Sequence, residues 1–160
     1  MTASGGDATK MHYEDIEVGA TVAFGRKLVT REEIVAFASA FDPQPFHLDE
    51  AAARHSLIGR LCASGWHTCA MLMRMLADDV LANAAGLGAP GVDETRFLKP
   101  VFPGDTLTAR YTCTAKRLLK SRPNVGMCHM LFELMNQSGE VVLTWTTPQL
   151  YRVRRPEAAR

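Results

Sequence analysis

The sequence predicts an α+β domain in which an antiparallel sheet wraps one long helix. Three observations carry that expectation. The stretch between Trp66 and Ala85 is apolar most of the way round a helix, with Cys69, Met71, Leu72, Met73, Met75, Leu76, Val80 and Leu81, as a buried helix is. Beyond it the chain reads as strands broken by turn residues. No βαβ alternation appears, which excludes a parallel doubly wound sheet.

With 160 residues the chain is long enough for one domain. We place that domain at residues 11–155, after a disordered tail, residues 1–10. That tail is small and polar, with no apolar core of a signal peptide. The hydrophobic fraction is 47%, the charged fraction 22% and the net charge +1. These values fit a soluble cytoplasmic protein and give no reason to expect a nucleic-acid surface. Arg74, Asp78 and Asp79 interrupt the most apolar stretch, so no membrane span is expected. Cys62, Cys69, Cys113 and Cys128 show no metal-ligand spacing. They read as reduced, mostly buried thiols, with no metal and no cofactor.

In chain order, residues 21–29 suit a strand. Thr30 and Glu33 form a capping box before a helix carrying Ile34, Val35, Phe37, Ala38 and Phe41. Asp42-Pro43 stops that helix. Pro43 and Pro45 stiffen an extended loop from Asp42 to His47, and Asp49 can cap a short helix through Arg54. After a loop at residues 59–65, Gly65 or Trp66 opens the long helix, with Ser64 as its cap. Gly86 and Gly88 close it. Strands follow at residues 92–101, 106–117, 126–136 and 140–153. They are joined by Pro103-Gly104-Asp105, by a basic loop at residues 116–122 and by Asn136-Gln137-Ser138-Gly139. A sheet around one helix leaves an open face and open edges, which dimerisation usually covers.

The chemistry concentrates at Phe41-Asp42-Pro43-Gln44-Pro45-Phe46-His47. A carboxylate and an imidazole on one stiff loop can aim at one point and hold one water, one group taking a proton as the other gives one. The start of the long helix offers backbone N–H groups to a developing negative charge. Gly65, lacking a side chain, lets a ligand approach them. His67, in the first turn, reads as a hydrogen-bonded core histidine. Met71, Met73 and Met75 read as core and pocket lining.

The segment resembles the hydratase-2 motif of the MaoC-like (R-specific enoyl-CoA hydratase) family. Asp42, Pro45 and His47 match that motif, and Ala53 matches its small position. Ala63-Ser64-Gly65-Trp66-His67, Arg96-Phe97-Leu98-Lys99-Pro100-Val101 and Asn136-Gln137-Ser138-Gly139-Glu140 resemble the family in order and spacing. Gln44 stands where the family usually has Asn, and Phe46 where it has Leu or Ile. The resemblance implies a hotdog fold and reversible hydration of a trans-2-enoyl-CoA to an (R)-3-hydroxyacyl-CoA. It implies Asp42 as base, His47 as acid and the Gly65 N–H as the site for the thioester oxygen. Ser64, Phe46 and Trp66 would border the substrate. The basic run Lys116, Arg117, Lys120 and Arg122 reads either as a contact for the phosphates of coenzyme A or as a solvated loop. Coenzyme A enters only as part of the substrate, and a homodimer or dimer of dimers is expected. A hotdog thioesterase and a non-catalytic acyl-thioester-binding subunit are the alternatives. Neither needs both Asp42 and His47.

Overall fold

The computed structural model describes residues 9–154, so most of the expected tail lies outside the described residues. A three-residue helical turn at Tyr13–Asp15 precedes β1 (Thr21–Leu28) and α1 (Arg31–Phe41). The short turns α2 (Pro45–Leu48) and α3 (Glu50–Ala53) lead to α4 (Gly65–Asp79). Then come β2 (Gly86–Gly88), β3 (Glu94–Phe97), β4 (Thr106–Leu119), β5 (Arg122–Met135) and β6 (Val141–Arg152). The sheet runs β1-β4-β5-β6-β2, with β3 pairing further along β6, and every strand pair is antiparallel. β5 occupies one edge of β6 throughout, so β2 and β3 share the other.

The expected caps form. The Thr30 hydroxyl accepts from the Glu33 N–H while the Glu33 carboxylate accepts from the Thr30 N–H. Asp49 accepts from the Ala52 N–H. The long β4–β5–β6 meander turns alternate residues inward: Leu107, Ala109, Tyr111 and Cys113 of β4, and Cys128, Met130, Phe132 and Leu134 of β5. Met71, Leu72, Met75 and Leu76 of α4 belong to the same core. Each large apolar side chain buried here contributes about 1.5–3 kcal/mol before entropy is counted.

Several expectations change. α4 is not buried all round. Trp66 is 64% and Met73 39% exposed, because one chain's sheet covers only one side of the helix. α4 ends at Asp79, and Gly86 and Gly88 are not its stop but the strand β2. The strand expected over residues 92–101 shrinks to β3. Leu98 and Lys99 both donate their N–H to the Val142 carbonyl, and Pro100 has no N–H to continue the ladder. The basic loop is mostly strand, since β4 runs on through Lys116 and Arg117. Lys116 Nζ is held by the carbonyls of Tyr13 and Ile16, at 3.1 and 2.6 Å. The Asp42–His47 segment is not extended throughout, because Pro45 starts the helical turn α2, a position its fixed φ suits.

Gly25 holds the sheet against α4. It sits at a bulge in β1 with φ +70°, and a Cβ there would lie 2.6 Å from Met75 Sδ. Gly25→Ala therefore meets both a disfavoured torsion and a clash. We expect a loss of about 1–3 kcal/mol in chemical denaturation. A neutral result would mean that β1 can shift away from α4 freely.

Candidate active site

Asp42 is the C-cap residue of α1, and its N–H donates to the Ala38 carbonyl at 2.9 Å. The negative end of α1 is a poor place for a carboxylate. Two donors offset this. The Ser64 hydroxyl donates to Asp42 Oδ2 at 2.7 Å and the Gln44 side-chain amide to Oδ1 at 2.8 Å. Together, Ser64 first, they hold the Asp42 carboxyl below its ordinary pKa. Burial opposes the shift, and the nearby His47 adds to it. Ser64 is fully buried, and its Oγ also accepts the Trp66 N–H, capping α4.

His47, buried on α2, is oriented by its backbone surroundings. Its Nδ1 lies 2.7 Å from the Cys62 carbonyl. A carbonyl only accepts, so Nδ1 carries the hydrogen. Nε2 is then the atom turned toward Asp42, 3.5 Å from Oδ2. A proton shared between Nε2 and Oδ2 would turn the repulsion of two facing lone pairs into attraction, so the pair has the geometry to hold one mobile proton.

Both groups line a pocket of about 370 Å³ with Ser64, Gly65, Trp66, Cys62, Phe97 and Lys99. Its wall includes the first turn of α4, whose N-terminus favours negative charge. No partner for the Gly65 N–H is found among the described residues. A Cβ on Gly65 would lie 2.7 Å from the Phe97 ring, so the glycine lets Phe97 close over the helix start.

The structure thus brings Asp42, His47, Ser64, Gly65 and Trp66 together. Phe46 does not line the pocket. It stands edge-on to the His47 ring, with centroids 4.4 Å apart, and packs against the core. Arg117, Lys120 and Arg122 lie away from the pocket within one chain. Arg117 pairs with Met127, which pairs with Leu150, whereas the pocket's Val142 is near the other end of β6. The hairpin is long, so its tip lies far from the Asp42–His47 loop. Lys99 is the cation in the pocket wall. His67 is buried and stacked on Phe37, centroids 4.8 Å apart, but its Nδ1 lacks the expected hydrogen bond among the described residues. Burial holds its pKa down.

Gln44 and the Cys62 carbonyl are the contributors that residue types did not reveal. Gln44 stood out only as a departure from the motif, and a backbone carbonyl leaves no mark in sequence. Among the described residues no group of three or more His, Cys, Asp or Glu could hold a metal, and no helix is long and apolar enough to cross a membrane.

An antiparallel sheet around one central helix, with this loop at the helix start, defines a hotdog domain. The MaoC-like domain model matches residues 14–128, and the chain belongs to that family. It is similar to the solved MaoC-like dehydratase of Rhodospirillum rubrum, at 41% identity and a TM-score of 0.82, covering 91% of this chain and 99% of that one. It is 29% identical to protein MaoC of Klebsiella aerogenes over 71% of this chain, and spans 33% of that protein's length. It is also 29% identical to the 3-hydroxybutyryl-CoA dehydratase of Methylorubrum extorquens, over 62% of each chain.

Ser64→Ala removes a donor to Asp42 and the cap of α4 together. Asp42 should titrate higher than in the wild type, read by carbon NMR, and the lost cap should cost about 1 kcal/mol. Asp42's folded pKa is depressed, so its contribution to stability is full above the unfolded value. That contribution is lost as pH falls through the folded one. The variant should therefore lose less stability on acidification. An unchanged Asp42 titration would separate Ser64 from the carboxylate.

Proposed function

We propose that the protein hydrates a trans-2-enoyl thioester, reversibly, to the (R)-3-hydroxyacyl thioester. The observation that carries this reading is the Asp42–His47 pair, 3.5 Å apart in a pocket walled by the first turn of α4. Asp42, kept ionised by Ser64 and Gln44, takes a proton from water as the water oxygen bonds to C3. His47 Nε2–H gives a proton to C2. Both groups work from one side, so the elements of water add to one face of the alkene. The electron pair displaced from the alkene rests meanwhile on the thioester oxygen, at the Gly65 N–H. A proton passing from Asp42 to His47 resets the pair. A second cavity of about 310 Å³, lined by Met73, Leu76, Val92 and Trp145 among others, offers an apolar tail a place to lie. Coenzyme A takes part only as the substrate's carrier, and no metal or other cofactor is needed.

The test is an absorbance assay of enoyl-CoA thioesters, with a thiol reagent to reveal thioester hydrolysis. Asp42→Asn and His47→Gln should each lower hydration on the order of 10²-fold or more. The double variant should be little worse than the poorer single. Near wild-type turnover in either single variant would remove that residue from the chemistry. Gly65→Val should lower kcat/KM by roughly 2–4 kcal/mol, the worth of one oxyanion donor. The half-exposed Phe97 must turn aside to admit the new side chain, so thermal stability is measured alongside. Full activity in a stable variant would move the thioester elsewhere.

We also propose a homodimer in the cytoplasm. Trp66, Met73, Phe97 and Leu98 expose apolar surface around the helix and β3. β3 pairs with β6 alone among the described residues, leaving a strand edge open. Sedimentation should show a dimer at micromolar protein, and a monomer alone would contradict this assembly.

A further inference from the structure

The second cavity, of about 310 Å³, is apolar over most of its wall, with Met73, Leu76, Leu81, Val92 and Leu150, but it has one polar end. There Thr147, Gln149 and Tyr151 of β6 line it, all more than nine-tenths buried. The Tyr151 hydroxyl donates to Gln149 Oε1 at 2.6 Å. This contact turns the amide oxygen toward Tyr151 and leaves Nε2 as the free end. No acceptor for the Nε2 hydrogens is found among the described residues. The Thr147 hydroxyl gives its hydrogen to the Gly91 carbonyl, also at 2.6 Å, so it offers the cavity an acceptor only. A buried amide donor left without an acceptor is destabilising. An occupant that supplies one is therefore favoured over one that does not.

The acceptor this site favours is neutral. No charged side chain lines the cavity among the described residues, and a carboxylate taken in would lose its hydration without a counter-charge. The wall leaves room, since a Cβ on Gly88 or Gly91 would meet nothing within 4 Å. The cavity also lies in line with the reaction site. Trp66 and Phe97 line the active-site pocket, with ring centroids 6.0 Å apart, whereas Met73 and Val92 line the second cavity. Trp66 and Met73 share a face of α4, about 10 Å apart along its axis. An acyl chain whose thioester sits at Gly65 can follow that face into the cavity, where its distal half meets Gln149.

We infer that the acyl chain of the substrate carries a neutral oxygen, as a ketone or a hydroxyl, in its distal half, and that Gln149 Nε2 donates a hydrogen bond to it. This rests on the thioester reading of the active site. A site that hydrogen-bonds an oxygen of its substrate rejects the analogue lacking it, because its own donor is then stranded.

The test is calorimetric titration with saturated acyl-CoA thioesters, which cannot be hydrated, so that binding is read apart from turnover. The ligands are dodecanoyl-CoA, derivatives with one ketone at successive positions of the distal half, and the ω-carboxylate of the same length. The wild type should bind at least one keto thioester about tenfold more tightly than dodecanoyl-CoA, the scale of one satisfied donor. In Gln149→Met that advantage should vanish. Melting temperatures show whether the variant folds. Should it not, adding Tyr151→Phe removes the hydroxyl that Gln149→Met leaves without an acceptor. The inference is overturned if no keto thioester outbinds dodecanoyl-CoA, if the advantage survives in a folded variant, or if the ω-carboxylate binds best. Absence of binding of every one of these thioesters by the wild type overturns it too. Failure of the hydratase reading looks different: the wild type would hydrate no enoyl thioester, yet would still prefer the keto chain through Gln149.

Discussion

One hydroxyl joins the parts of this site. Ser64 Oγ donates to Asp42 and accepts from the Trp66 N–H, so the loop after α1 and the start of α4 meet at a single buried atom. The carboxylate needs that donor because it sits at the unfavourable end of α1, and α4 needs a cap because its first N–H groups have no intrahelical partners. Loss of the link would free the Asp42–His47 loop and the start of α4 from each other. Gln44 secures the other carboxylate oxygen. The motif departure at this position thus retains a donor amide on a longer stem.

Around this junction the fold separates three environments along one helix and one sheet. The titratable pair sits at the N-terminus of α4. The apolar cavity lies beside Met73 and Leu76 on the same helix. A polar cavity lies behind Lys99 and Pro100. The division follows from β2 and β3 being short and sharing one edge of β6. The gap between them lets a cavity reach the helix, while the continuous β4–β5–β6 side seals the core.

Local signals in the sequence marked the elements with strong local chemistry: the Thr30–Glu33 capping box, Ser64 before Gly65, and the alternation of β4 to β6. They misplaced features that depend on distant contacts. Gly86 and Gly88 have the composition of a helix stop, yet they gain a ladder partner in Tyr151 and Leu150. Trp66 and Met73 have the apolarity of core residues, but a single sheet cannot cover both sides of α4. The Asp42–His47 motif was legible because its residues are close in sequence. The Cys62 carbonyl that sets the His47 tautomer was not, since every residue type supplies one. Arg117, Lys120 and Arg122 were grouped by composition, whereas reach is decided by strand register.

The position of Asp42 as the C-cap of α1 has a dynamic consequence. Helix ends are where native proteins open first, and here the end residue carries the carboxylate that lines the pocket. Opening of the last turn of α1 breaks the Asp42 bonds to Ser64 and Gln44 along with its helix bond to Ala38. The population of that opened state is set jointly by the helix end and by those two donors. Amide hydrogen exchange at Asp42 would report that population directly.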